Sequence, residues 1–411
     1  MRLPPLLASL TRHRLIVLLM VLTVAFTCAI VTNIAGMIVH RLALLDAPSG
    51  LQEHAIATID SSWIAASHGG AVPDHDRLAQ YQADVASLRG IPGVESAVVV
   101  SGMPFDGGMG FNVSASGNTG KKDQGFQVTG FAGGPGELKT LGLRLMRGRD
   151  FLASEYLPSD NGDNLNKISV AILSQALAER LFHTGDAVGR LFYASGHPIR
   201  VVGVVEHLMG MSPQLGAADN EYAMLLPLKP NGDYVTFVIR ANQEVRDRVL
   251  TRAVDVLGQR DPLRVFDHAQ TFTQLRAQYF RRDNAMIGLL LAVGAALLLV
   301  TAAGAAGLES FWAQQRTHAI GIRRALGATR VDILRYFQTE NFLIVTGGVV
   351  IGCVLAYGLN LLLMKYYALQ VLPPVYPAVG AVALWLIGQA AVLGPALRAA
   401  TVPPAAATRS A

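Results

Sequence analysis

Residues 316–340 read RTHAIGIRRALGATRVDILRYFQTE, a basic, polar stretch set between two long apolar runs. Ile320, Ile322, Ala325 and Leu326 share one face at helical spacing, with His318, Arg323 and Arg324 around the rest, which predicts a short amphipathic helix. Gly327 offers a corner, and Thr329 followed three residues later by Asp332 has the form of a capping box. A new helix is predicted to open there and to run directly into the apolar segment that begins at Phe342. A plain basic loop between two membrane helices has a similar composition, and the amphipathic pattern alone does not separate the two readings.

The flanking runs set the fold class. Over 411 residues the apolar share is 51% and the mean hydropathy is +0.37, too apolar for an ordinary soluble chain, yet one long polar region remains. Four runs, 15–39, 285–308, 342–364 and 378–397, have the roughly 20 residues that crossing a bilayer requires. Arg12 and Arg14 precede the first run as they would a signal peptide. Its apolar core is too long for one and no A-x-A site closes it, so it reads as a retained span.

Charge gives the orientation. Residues 40–283 hold 23 Lys+Arg against 26 Asp+Glu, net −3, while the remainder holds 11 basic and 3 acidic residues. The basic excess lies in the N-terminal tail, the 316–335 loop and the C-terminal tail, so both termini are expected in the cytoplasm. The charge is a topology signal and gives no reason to invoke nucleic acid. Cys28 and Cys353 both fall within predicted spans, leaving the outer region free of cysteine and dependent on its own core.

The predicted order is a cytoplasmic tail 1–14, span 15–39, an outer domain 40–284, span 285–308, a cytoplasmic segment 309–341, span 342–364, a short outer loop 365–377, span 378–397 and a tail 398–411. In the outer domain, 41–56 reads as a helical stalk, with a second stalk at the far end. Helices are predicted at 75–89, 175–182 and 244–258, and strands at 94–100, 168–172, 199–205, 234–240 and 263–266. Two α-β pieces, 57–124 and 230–268, thus flank an insertion at 125–229. The Gly-, Ser- and Asn-rich stretch 102–136 is expected to be a mobile connector. Gly348 and Gly352 form a G-x-x-x-G frame suited to close helix approach, within a subunit or between subunits.

Several chemistries find no support. The Gly120-Lys121 pair lacks the earlier glycine of a phosphate loop, and there is no H-E-x-x-H, C-x-x-C or G-x-S-x-G. Asp74, His75 and Asp76 are adjacent and would point apart on a helix, so they do not read as a metal site. Asn33, Asn360 and Gln389 are the most polar groups inside the four runs, which argues against a substrate path through these helices.

The stretch Ile320, Gly321, Ile322, Arg323, Arg324, Ala325, Leu326, Gly327 and Ala328 resembles the signature of the FtsX-like and macrolide-exporter (MacB) permeases, placed as in that family between the second and third spans. Ala319 stands where members usually carry an acid. GVESAVVVSGMPFDGG, LGLRLMRGRDF, ISVAILSQALAERLF, DAVGRLF and VVGVV resemble, in order, markers of the family's periplasmic core, and GPALRAATVPPAAATRS its usual ending. The resemblance implies an α-helical membrane protein with four transmembrane helices and a large α+β periplasmic domain, made of a porter-like part with an inserted mostly β part. It implies that Ile320 to Ala328 are the coupling element for a cytoplasmic ABC ATPase dimer, expected as a separate polypeptide that holds the ATP and Mg. No cofactor, metal or catalytic residue is expected on this chain. A second permease copy or a related permease, a periplasmic adaptor, an outer-membrane duct and the lipid bilayer are the implied partners. The implied function is mechanical transmission across the inner membrane for efflux of a peptide, antibiotic or other small molecule from the periplasm. Lipoprotein release and regulation of a periplasmic cell-wall hydrolase are the alternatives, the latter disfavoured because those relatives have small outer domains.

Overall fold

The structure, a computed structural model, describes residues 14–63, 74–106, 111–117, 125–159, 166–183, 186–214, 219–261, 264–315, 327–367 and 373–401. They divide into two units, Met1–Ala43 with Asp283–Ala411, and Leu44–Arg282.

Four helices among the described residues are long and apolar enough to cross a membrane: Arg14–Asp46, Arg281–Gln315, Arg330–Tyr367 and Val375–Thr401. Each overlaps a predicted run and extends beyond it. The first stops at Asp46 instead of continuing as a stalk to residue 56, because Pro48 cannot continue a helix and Gly50 adopts φ +88°.

The glycine frame shows how the first unit packs. A Cβ at Gly348 would lie 2.7 Å from Val24 Cβ, and one at Gly352 would lie 2.5 Å from Cys28 Cβ and 2.8 Å from the Ala25 carbonyl. Both glycines therefore seat the third helix against the first within one chain. Asn33 Nδ2 donates across the same contact to the Ala356 carbonyl at 3.2 Å, and Thr27 and Thr301 hydroxyls meet at 2.7 Å. The third and fourth helices pack through Ile333 and Phe337 against Val392 and Ala396, and through stacked Phe342 and Trp385 rings 5.7 Å apart. Gly352→Val is expected to destabilise this helix set by about 1–3 kcal/mol, since the neighbours at the contact include main chain that cannot give way. Thermal unfolding of the reconstituted chain measures it, and an unchanged midpoint would contradict the packing.

The large unit begins with β1 (Ile56–Trp63), crosses the helix Asp74–Arg89 and returns as β2 (Val94–Val100). The chain then builds β3 (Phe111–Ser116), β4 (Phe126–Ala132), β5 (Leu145–Gly148), β6 (Leu157–Pro158), β7 (Val170–Ser174), β8 (Leu191–Ala194), β9 (His197–Val205), β10 (Ala223–Leu226) and β11 (Leu228–Lys229). It returns for β12 (Val235–Ala241), the helix Arg246–Arg260 and β13 (Arg264–Thr271). The first sheet has the order β13-β1-β12-β2, all neighbours antiparallel, which is a split β-α-β pair interrupted after its second strand. Strand alternation divides β2 between two cores. Ala97 and Val99 face the two helices together with Tyr81, Val249, Ala253 and Leu257, while Val98 and Val100 face the insertion.

The insertion is a closed ring. Its strands run β9-β7-β10-β4-β3-β8, and β8 pairs with β9 again, so six strands leave no edge; β5 joins as an outer strand on β9. Val113, Val128, Leu173, Phe192, Val201 and Met224 fill the interior with Leu177 and Leu181 of the helix Gln175–Phe182, which Ser174 caps by accepting from Leu177 N at 3.2 Å. The opposite face of β4, β7, β9 and β10 packs Phe131, Ile172, Val202 and Leu225 toward the first sheet. The insertion boundary at 125 and the connector expected at 102–136 are both corrected, because β3 and β4 lie in that stretch and both belong to the ring. Glycine and serine there mask a strand alternation in which Val113 and Ala115 point inward.

Candidate functional site

Of the nine residues matching the coupling signature, Ile320, Gly321, Ile322, Arg323, Arg324, Ala325 and Leu326 lie outside the described residues, as does the predicted amphipathic helix. Gly327 and Ala328 are described. Gly327 takes φ +96° with open space where a side chain would stand. The next helix then opens at Arg330 on a full reciprocal cap: Thr329 N donates to Asp332 Oδ2 at 3.0 Å and Asp332 N donates to Thr329 Oγ1 at 3.2 Å. Its first turns are amphipathic, with Ile333 and Phe337 buried against the fourth helix and Asp332 and Arg335 exposed. The end of the signature is therefore a fixed corner joined to a long packed helix.

A second element lies in the large unit, where the chain enters and leaves it. Arg276, on the helix Phe272–Tyr279, donates through Nη2 to the carbonyls of Leu45 at 2.5 Å and Ala47 at 2.7 Å, and through Nη1 to the Glu53 carboxylate. Its guanidinium also lies over the rings of Phe105 at 5.2 Å and Phe280 at 6.0 Å. The Leu45 and Ala47 carbonyls belong to the end of the first long helix, where a cation satisfies otherwise unpaired acceptors. Ser49 donates to the same Glu53 oxygen at 2.6 Å. One arginine thus ties the incoming segment to the outgoing one. In the first unit Arg41 and Asp283, on the first and second helices, form a further ion pair.

A third element lies at the joint between the first sheet and the ring. Gly133 bridges to Val100, and the next turn places Glu137, 2% exposed, against the Gly133 main chain. A Cβ at Gly133 would fall 2.3–2.5 Å from the Glu137 carboxyl, so only glycine leaves room for it. Burial, and secondarily the charge of Asp150, push the Glu137 carboxyl up to about 8. Burial raises the nearby Tyr156 hydroxyl as well, with the charge of Glu137 next in importance. By contrast, the Arg149 hydrogen bond holds Glu155 below the usual carboxylate range.

Sequence reasoning placed the corner and the cap but missed the other two elements. Arg276 sits in a stretch, QLRAQYFRRD, whose arginines look alike, and Glu137 follows GGPG, which reads as a surface turn. Glu309 and Glu340 lie just beyond the apolar runs 285–308 and 342–364, so the runs alone do not include them. The helices continue past those limits and bury both side chains.

Comparison with known proteins points to a single family. Residues 15–256, more than half of the chain, match the MacB-like periplasmic core domain, and residues 286–404 match the FtsX-like permease C-terminal model. A pyoverdine export ATP-binding/permease protein, PvdT, of Pseudomonas syringae pv. syringae is 29% identical over 266 residues, 60% of this chain and 39% of that protein. The macrolide export ATP-binding/permease protein MacB of Chromobacterium violaceum is 27% identical over 245 residues, 56% of this chain and 37% of its own length. The chain thus spans under two-fifths of the length of these two relatives. Among solved structures, the periplasmic region of MacB from Actinobacillus actinomycetemcomitans aligns with 56% of this chain and 94% of its own, at a TM-score of 0.34 and 13% identity.

Proposed function

Because the chain belongs to the MacB/FtsX-like family of ABC transporter permeases, we propose that it is the membrane subunit through which a separate cytoplasmic ABC ATPase dimer moves a large periplasmic domain. The movement drives efflux of a peptide, antibiotic or other small molecule from the periplasm, a substrate class suggested by relatives named for pyoverdine and macrolide export. The observation that carries this reading is the corner at Gly327. Directly behind the residues that match the coupling signature, the main chain turns through φ +96° and a reciprocal cap starts the third helix.

A docked ATPase would push on Ile320 to Ala328, and a capped, packed helix passes on that push without absorbing it in a flexible linker. Gly348 and Gly352 bring the third helix against the first, which carries the displacement to the helix that precedes the large unit in sequence. In this reading both termini and the coupling segment lie in the cytoplasm and the large unit outside the inner membrane, which the excess of basic residues in the tails and in the 316–335 loop supports. ATP and Mg belong to the ATPase. A second permease copy or a related permease, with an adaptor and an outer-membrane duct, completes the assembly.

Leu326→Asp tests the docking role. An apolar side chain buried in a groove contributes about 1.5–3 kcal/mol, so the substitution is expected to weaken ATPase co-purification by about one to two orders of magnitude. Arg323→Gln is expected to act mainly at low salt, a rim charge being worth at most about 1 kcal/mol. Full co-purification and full stimulated hydrolysis by Leu326→Asp, with the large unit still resistant to protease, would overturn the assignment.

A further inference from the structure

We propose that the large unit carries a binding site for a small anionic amphiphile, an apolar body of one ring or a short chain bearing a single carboxylate. The site is a cavity of about 200 Å³ between the helix Asp74–Arg89, strand β2, the turn that follows β4, and β11 of the insertion. Leu78, Tyr81, Val85, Val99 and Pro135 give it an apolar lining. A dry apolar cavity of about 150 Å³ accepts benzene, which sets the size of the apolar body. Such pockets concentrate where two substructures meet, and here one wall comes from the first sheet and the other from the insertion.

The charge of the occupant follows from two cations on the lining, Arg89 and Lys229. Arg89 is fixed in place by donating through Nε and Nη2 to the Ala97 carbonyl, at 3.0 and 2.8 Å, and through Nη2 to the Pro135 carbonyl at 3.4 Å. Every acceptor is neutral, so its charge is held but not cancelled. Lys229 makes no side-chain hydrogen bond or ion pair among the described residues; only its main chain is engaged, accepting from Ser159 N at 2.9 Å. Three described carboxylates on or near these elements are already paired. Asp84 binds Arg260 at 2.8 Å and Arg264 at 2.5 Å, Glu95 binds Arg240 at 3.1 Å, and Asp233 binds Arg77 at 2.7 Å.

Two positive charges without a counter-ion among the described residues thus line an apolar pocket in a region that is net acidic over residues 40–283. Beside low-dielectric walls such charges attract an anion more strongly than they would in open solvent. Because Arg89 is already oriented, little side-chain entropy is lost when the anion arrives. An occupant would touch Lys229 and Pro135 on the insertion and Leu78 and Val85 on the helix, bridging the joint between them. The site does not depend on an ATPase partner, so it stands or falls separately from the transport reading.

The test uses the full chain in lipid nanodiscs, saturation-transfer NMR, and three probes of one shape: 3-phenylpropionate, 3-phenylpropanol and 3-phenylpropylammonium. Empty nanodiscs are the blank. The carboxylate is expected to bind saturably, the alcohol more weakly and the ammonium not at all. Lys229→Gln, which breaks no side-chain hydrogen bond or ion pair among the described residues, is expected to weaken carboxylate binding about threefold to tenfold. Leu78→Trp, which fills the cavity from a half-buried position, is expected to abolish it. Equal binding of alcohol and carboxylate would overturn the anionic assignment. Unchanged affinity in Lys229→Gln and Leu78→Trp, or the same signal from empty nanodiscs, would overturn the site.

Discussion

Arg276→Met is expected to destabilise the large unit by about 3–5 kcal/mol, the range for removing one partner of a buried ion pair and leaving the other in place. Arg276 and Glu53 side chains are only 17% and 19% exposed, and methionine keeps the length and apolar stem while deleting every donor. What remains is a carboxylate held by Ser49 alone and two helix-end carbonyls, Leu45 and Ala47, without their cation. Arg276→Lys should be intermediate, because one ammonium does not reproduce a planar fork reaching three acceptors. Arg144→Met makes the contrast. Its pair with Glu206 is exposed, at 79% and 36%, and its loss is expected to cost under about 1 kcal/mol. Denaturant unfolding of the full chain, with amide exchange read at residues 44–55, distinguishes the two. Equal effects at Arg276 and Arg144 would refute the clamp.

Raising the pH from 5 to 9 is expected to cost the large unit about 3–5 kcal/mol through Glu137 alone. The sign follows from proton binding. The folded carboxyl titrates at about 8 and an unfolded one near 4.5, so between those values the folded state holds a proton that the unfolded state has released. Stability is therefore greatest below the unfolded value, falls as pH rises through the window, and levels off above the folded value. Glu155, whose shift is downward, acts in the opposite sense and only in the acid range, while Asp60, raised by burial, acts in the same sense as Glu137, so the contribution of Glu137 is the difference from the Glu137→Gln profile. Glu137→Gln keeps the shape and removes the titration, so its unfolding midpoint should lose this slope. Parallel pH profiles for the two proteins would show that the carboxyl is not held neutral.

Local signals were readable where one interaction decides the structure. β2 is a run of valines with a breaker on each side and was placed to the residue, as was the helix Gln175–Phe182 behind its serine cap. Thr329 and Asp332 announced the start of the third helix because a cap is made within four residues. Closure of the ring was not readable, since it depends on β8 reaching both β3 and β9, and no local pattern encodes that pairing. The burial of Glu137 and the triple use of Arg276 were hidden for the same reason: each exists only after distant segments have met. Gly348 and Gly352 lay between these cases, their spacing visible but their partner, the first helix, supplied only by the fold.

The closed insertion also governs the order of events in time. In the first sheet β1 and β2 share no ladder; both pair with β12, which follows the whole ring in sequence. Until β12 arrives, the two earliest strands have no neighbour in that sheet except β13, which comes later still. Bringing β12 to them directly means closing a long flexible loop, an entropic cost that grows with length and slows assembly. A ring that satisfies its own strands removes that loop by becoming compact first, drawing the end of β2 and the start of β12 together. The half of the sheet that is synthesised first is thus the half completed last, and it waits on the inserted ring.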